Sequence, residues 1–347
     1  MASLFYPSHY LLTRPYAREL HSKLTLQTPQ RLTPRDAEKA AADALLPYLS
    51  SKGWSIDNVV VLSQEMQGAL AWLDWDLNGR MITAVGKDLS LAFERSDCGD
   101  MRIDDVMPSG SISRYIHFEG PLNSPILIGS EKAIFEGAYV IGNALDSLRI
   151  VLCGRSPEGT SIYNQWRERY DLRIPSKYYG ITADEAIDYA LADDLKDLEN
   201  AQIALRSKSA STAVLMDAQE LATRMRQDYP AYREALRLVM NALAYSRAYP
   251  DDKRLEWNEG APSRWVEATR TGSPTARTRA LSKLWSLGHL EVQWLGTAFV
   301  ATKDSTGRDA AGVRVHWRRG HWRHQAHGPA LSLRKLMWIQ PMLVGSA

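Results

Sequence analysis

The sequence predicts an α+β protein, with a mostly antiparallel sheet, a helical region and a basic C-terminal α/β module. Three observations predict it. Apolar residues change period along the chain, from helical spacing to strand-like alternation and back to helical spacing. Glycines and prolines interrupt the strand-like stretch at short intervals, which favours hairpins over strand–helix–strand units. Charge is divided unevenly: from Gly260 onward 13 Lys/Arg stand against 4 Asp/Glu, a net +9, which leaves −7 on the first 259 residues of a chain at +2 overall.

A length of 347 residues exceeds what one ordinary core needs, and four regions follow from the pattern. Residues 1–53 read as helical. Thr33-Pro34-Arg35-Asp36 starts a helix, with Thr33 as cap, Pro34 at the first turn and Asp36 on the favourable end of the dipole. The Ala-rich run to Leu46 continues it, and Pro47 and Gly53 stop or kink it. Residues 54–155 read as antiparallel strands. Val59–Leu62 is a short apolar run, and Ala69–Asp76 alternates before Asn78-Gly79, a hairpin signal. Met81–Val85 is then the returning strand, and Leu89, Leu91 and Phe93 alternate in the next. Tyr115–Phe118, Ile126–Ile128, Ala138–Ile141 and Leu148–Leu152 follow.

Residues 156–250 return to helix. Thr182-Ala-Asp-Glu185 is a capping box, and Ile187, Leu191, Leu195, Leu198 and Leu205 mark one face. A second helix is expected over Asp217–Asp228 and a third from Pro230, with Tyr232, Leu236, Val239, Met240 and Leu243 in a core stripe. Residues 250–262 read as a linker. In the basic module, 260–347, Ser273 and Pro274 open a helix that Gly288 closes. Its Arg279, Ser282, Lys283 and Ser286 lie opposite its apolar face. Two arrangements are open there: an ordinary amphipathic helix on a sheet, or a winged helix whose polar face meets DNA.

The densest chemistry lies in His316-Trp317-Arg318-Arg319-Gly320-His321-Trp322-Arg323-His324-Gln325-Ala-His327. His-Trp-Arg occurs twice, no acidic residue appears after Asp309, and four of the eight histidines fall here. Rings that stack on unpaired bases and guanidinium forks that grip phosphate make single-stranded nucleic acid a fitting ligand. The alternative is a hairpin turning near Gly320, with both indoles in the core. As metal ligands, His321, His324 and His327 would share a side only in a helix; in a strand His324 faces away from the other two. As acid and base, a histidine pair could instead cleave RNA at the 2′-hydroxyl without metal. No cofactor and no metal are expected.

Other signatures are missing: no phosphate loop, dinucleotide fingerprint, His-Glu-x-x-His or nucleophile elbow is present. Asp104-Asp105 and Asp193-Asp194 read as solvated pairs. Cys98 and Cys153, far from each other and from any Cys/His ladder, read as buried thiols. No stretch approaches 18 apolar residues and no signal peptide opens the chain, so the expectation is a cytoplasmic protein without membrane contact.

The closing segment also carries a resemblance. His316–Gln325, Gly328-Pro329, Arg334-Lys335-Leu-Met-Trp338-Ile339-Gln-Pro341 and Val344-Gly345 resemble the C-terminal cassette of proteins from phages and other mobile elements. Among these it is similar to an anti-CRISPR family that counters type V-A systems by lowering production of the effector nuclease. That resemblance implies an inhibitor that recognises the effector's nascent N-terminal peptide and brings about loss of the mRNA being translated in the bacterial host.

Overall fold

The computed structural model describes residues 5–13, 16, 17, 19, 42, 43, 45–48, 50, 51, 59–107, 110–120, 122, 125–128, 133–143, 145–155, 166–207, 212–299 and 316–344. Helix α1 spans Tyr6–Thr13. The cap expected at Thr33-Pro34 lies outside the described residues; 45–48, 50 and 51 are helical, so Pro47 does not stop the helix.

The first departure from the sequence reading is α2, a helix over Val59–Leu77 where two strands were expected. Alternation in Ala69–Asp76 is real, but Ala69, Trp72, Trp75 and Asp76 also recur at helical spacing, and all four are buried. The Leu, Gln, Glu, Met and Ala content then favours helix. Asn78-Gly79 ends this helix instead of turning a hairpin: Gly79 takes φ +108, and the Arg80 amide reaches back to the Trp75 carbonyl at 3.0 Å. This six-residue bond is that of a Schellman stop. Strand β1, Ile82–Val85, follows as expected. Leu89, Leu91 and Phe93 belong not to a strand but to helix α3, Lys87–Glu94, which buries Leu89, Ser90, Ala92 and Phe93. The buried Ala92 breaks the alternation and restores the helical face.

After the short α4, Ile103–Val106, come β2 (Ser111–Phe118), β3 (Leu127–Ile128), β4 (Ala133–Asn143), β5 (Ser147–Arg155) and β6 (Trp166–Pro175). Helix α5 covers Ala183–Ser207, opened by the expected capping box: the Glu185 amide donates to Thr182 Oγ1 at 3.3 Å and the Thr182 amide to Glu185 Oε2 at 3.1 Å. The two helices expected around Pro230 are one, α6, Thr212–Ala248. Proline removes one rung there. On either side of it Tyr229 Oη donates to the Asp188 carbonyl (3.1 Å) and Arg233 Nε to Asp188 Oδ1 (2.7 Å), which ties the helix to α5 across the gap.

The stretch read as a linker carries β7, Lys253–Trp257. Helices α7, Ser263–Thr271, and α8, Pro274–Ser286, lead to β8, Glu291–Leu295. The strands β9 (His316–Arg318), β10 (His321–His327), β11 (Leu333–Ile339) and β12 (Met342–Val344) complete the chain.

One sheet runs β6-β5-β4-β2-β1-β8-β7, with β3 on β4. It is antiparallel except at its centre, where β1 pairs in parallel with both β2 and β8. A crossover through α3 therefore links β1 to β2, inside what the sequence reads as hairpins. Alternation along β2 divides the core in two. Ile112, Ile116 and Phe118 face α5 and α6, whereas Tyr115 joins Tyr6, Tyr10, Trp72, Trp75 and Tyr139 under α1 and α2. Cys98 and Cys153 are both buried, and burial pushes the Cys98 thiol well up, so it stays protonated. Among the described residues no helix is long and apolar enough to cross a membrane.

Candidate nucleic-acid interface

The two His-Trp-Arg triplets, identical in sequence, end in different places. β10 pairs antiparallel with β11, Trp322 opposite Trp338 and His327 opposite Leu333. β9 pairs separately with β12, placing Trp317 opposite Leu343. Gly320 lies between them and is pinned to the body: its amide donates to the Arg95 carbonyl (2.9 Å) and its carbonyl accepts from the Asp97 amide (2.8 Å). The Asp100 amide adds a bond to the Trp322 carbonyl at 3.1 Å. Between these contacts Gly99 takes φ +58, and a Cβ there would strike the Trp322 backbone.

Trp322 has 0% of its surface exposed. Its indole N–H donates to Asn241 Oδ1 at 2.7 Å, and Asn241 Nδ2 donates to the Arg237 carbonyl at 2.9 Å. Trp338 stacks on it at 6.2 Å between centroids, donates its own N–H to Ser96 Oγ at 3.2 Å, and meets Phe93 and Tyr245 edge-on. The reading of Trp322 as a platform for bases is thereby corrected. Its ring is enclosed and its one donor is used, so it plugs the α6 side of the core. Trp317 is the opposite case, 40% exposed with the Arg95 guanidinium 3.9 Å from its ring centre.

The charged residues divide in the same way. Arg319 Nη1 lies 3.3 Å from Asp97 Oδ1, and Asp97 is also held by the buried Arg237, which binds Asp184 at 3.1 Å and Glu234 at 2.8 Å. His324 Nε2 sits 3.0 Å from Asp105 Oδ1, so Asp105 is not the solvated carboxylate its sequence context suggested. Its other oxygen accepts the Arg102 amide at 2.7 Å and opens α4. These contacts position the ribbon. By contrast Arg318, Arg323 and Lys335 are exposed and, among the described residues, meet no carboxylate. Strand alternation and the β10–β11 register put His321, Arg323, Gln325, His327 and Lys335 on the outward face. His324 is on the inward one, as strand geometry requires.

That placement constrains the histidine chemistry. His321 and His327 share a face but stand six residues apart on one strand, about 20 Å, too far to act on one phosphate. Among the described residues no group of three His, Cys, Asp or Glu could hold a metal ion. Arg279 and Lys283 lie elsewhere, exposed on α8. Sequence reasoning missed the body residues that seat the ribbon: Arg95, Ser96, Asp97, Asp105 and Asn241. Only Asn241 left a signal, a lone amide inside the apolar stripe of α6.

A family model described as the anti-CRISPR type V subtype A2 family matches residues 46–346. The chain belongs to this family. The match takes in the whole sheet, the α5–α6 layer and both ribbons, so the resemblance read from the closing segment extends over nearly the full length. Membership makes the function anti-CRISPR, directed at type V-A systems. A crystal structure of AcrVA2 is similar at 13% identity and a TM-score of 0.40, over 97% of this chain and 95% of that one. No curated protein sequence matches.

Proposed function

We propose that this type V-A anti-CRISPR protein lowers production of the effector nuclease by engaging the effector's nascent N-terminal peptide and its mRNA, with RNA held on the outward face of the C-terminal ribbon. The observation that supports the RNA contact is the two-sidedness of β10–β11. Its inner face is anchored by Trp322, Trp338 and His324, while Arg323 and Lys335, with Arg318 from β9, are exposed and, among the described residues, pair with no carboxylate. A strand pair anchored on one face and carrying exposed cations on the other suits a flexible polyanion, and the half-exposed Trp317 ring offers a surface for an unpaired base. The peptide half of the reading rests on family membership.

The test is fluorescence anisotropy with a labelled single-stranded RNA across a salt series. Arg318→Ala, Arg323→Ala and Lys335→Ala together are expected to lower the slope of log K against log salt by about 2, at about 0.7 per lost phosphate contact. Unchanged low-salt affinity in the triple variant would refute the assignment.

A further inference from the structure

A second basic surface lies between β7 and β8. These strands pair antiparallel, Lys253 opposite Leu295 and Trp257 opposite Glu291, at one edge of the sheet, and the chain between them forms a helix, a two-residue turn and a second helix. The turn is tightly specified. A Cβ on Gly272 would lie 2.5 Å from the Ala268 carbonyl and 3.1 Å from Ala276 Cβ, so only glycine lets the helices approach. Ser273 Oγ accepts the Ala276 amide at 3.4 Å, and Pro274 begins α8. Arg277 then folds back: its Nε donates to the Gly272 carbonyl (2.8 Å) and its Nη2 to the Arg270 carbonyl (3.2 Å), capping the negative end of α7.

Helix α8 buries Ala280 and Leu284, one turn apart, and half-buries Trp285 with the Arg80 guanidinium 5.0 Å from its ring centre. Thr275, Thr278, Arg279, Ser282, Lys283 and Ser286 are exposed. From Ser273 to Leu290 there is no Asp or Glu. Arg279 and Lys283 meet no carboxylate among the described residues, and Glu267 is the exposed acid of α7.

We infer that α7, its turn and α8 form a docking surface for double-stranded DNA, with α8 as the helix that enters the major groove. The strand–helix–turn–helix–strand order holds α8 outward on a glycine-tight, arginine-capped turn, which is the support a groove-reading helix requires. Beside the apolar Pro274 and Ala276, its open face carries short hydroxyl side chains and cations, the groups that bond phosphates and base edges. B-form DNA has a major groove about 12 Å wide that admits a helix, whereas the major groove of duplex RNA is too narrow, so the fit is to DNA. Arg277 is committed to the turn and is a positioning residue. The surface uses none of the residues assigned to RNA on the ribbon, and the two assignments stand or fall separately.

The experiment measures anisotropy of the full chain with a labelled DNA duplex about three helical turns long, the matching RNA duplex and each single strand, over a salt series. The wild-type protein is expected to bind the DNA duplex more tightly than the RNA duplex. Arg279→Ala with Lys283→Ala should weaken duplex DNA binding about tenfold and reduce the salt slope by about 2, and Ser282→Glu should weaken it alone. Arg318→Ala with Arg323→Ala should leave it unchanged. Because these side chains are exposed, the variants should melt with the wild type, which separates lost binding from lost fold. Absence of duplex DNA binding at low salt, tighter binding of duplex RNA, or full affinity in both α8 variants would overturn the inference.

Discussion

Replacing Trp322 with alanine tests whether this indole belongs to the core or to the ligand. The ring is fully enclosed, stacked on Trp338, and its N–H satisfies Asn241 at 2.7 Å. Loss of a buried aromatic ring costs about 3–5 kcal/mol, and the stranded Asn241 oxygen adds about 1–3, so a total of about 4–8 kcal/mol is expected. Unfolding entropy of about 2.1 cal/mol/K per residue gives about 0.7 kcal/mol/K for 347 residues, and the melting temperature should fall by roughly 5–11 °C. Trp317→Ala, which loses an exposed ring and a cation–π contact worth about 0.5–1 kcal/mol, should shift it by about 1 °C. Thermal melts followed by circular dichroism, paired with RNA anisotropy, read both effects. Trp322→Phe should cost about 1–3 kcal/mol through the orphaned amide oxygen, and Trp322→Phe with Asn241→Leu should recover part of it. An alanine variant that melts with the wild type but loses RNA would refute the core assignment.

Gly99→Ala should destabilise by more than about 1–2 kcal/mol, because φ +58 disfavours any Cβ and this one meets the Trp322 backbone. Limited proteolysis should then cut first around the β10–β11 ribbon; unchanged protection there would argue against the pinning role of residues 95–101. A pH dependence is expected from two half-buried residues on the sheet. Burial, only partly offset by Arg155, pushes Glu136 up to about 7, and burial with Arg155 pushes His117 down to about 4. Between pH 4.5 and 7 the folded chain keeps the Glu136 proton that the unfolded chain has lost, so this group's stabilisation disappears as pH rises. Between pH 4 and 6.5 the unfolded chain holds a His117 proton that the folded chain lacks, so that contribution grows with pH. The wild type should therefore be nearly flat over this range. Glu136→Gln should make stability rise with pH and His117→Asn should make it fall, each by about 3 kcal/mol. Parallel slopes in the two variants would show that the groups are not buried as described.

The elements legible in the sequence are those whose local signals agree with their packing. The Thr182–Glu185 box, the Ser273-Pro274 start and the strands around Tyr115, Tyr139 and Ile150 needed no distant partner to be recognised. Helix α2 was misread because tryptophans at 72 and 75 satisfy two periods at once, and only burial on both α1 and the sheet decides between them. Helix α7 was missed because its nine residues bury no side chain fully, leaving no stripe to find. The cassette shows the limit most clearly. His-Trp-Arg at 316–318 and at 321–323 is one tripeptide, yet one indole is enclosed and the other is half-exposed. The choice is made by Asn241, which takes the Trp322 N–H, and by Tyr249, whose ring lies 6.5 Å from it, residues distant in sequence, so no local reading of the ribbon could have made it.

The placement of β1 has a consequence for how the chain is made. This four-residue strand is fully buried and bonded on both sides, but its second neighbour, β8, is synthesised only after β2–β7 and every helix through α8. Until then β1 is the open edge of an unfinished sheet, with one side a bare row of peptide groups. A topology with so distant a pairing has high contact order and folds slowly, with its partly built state prone to aggregate. The protein thus completes its architecture only when most of it has left the ribosome, and a chain cut short before Glu291 would be an adhesive fragment rather than a smaller inhibitor.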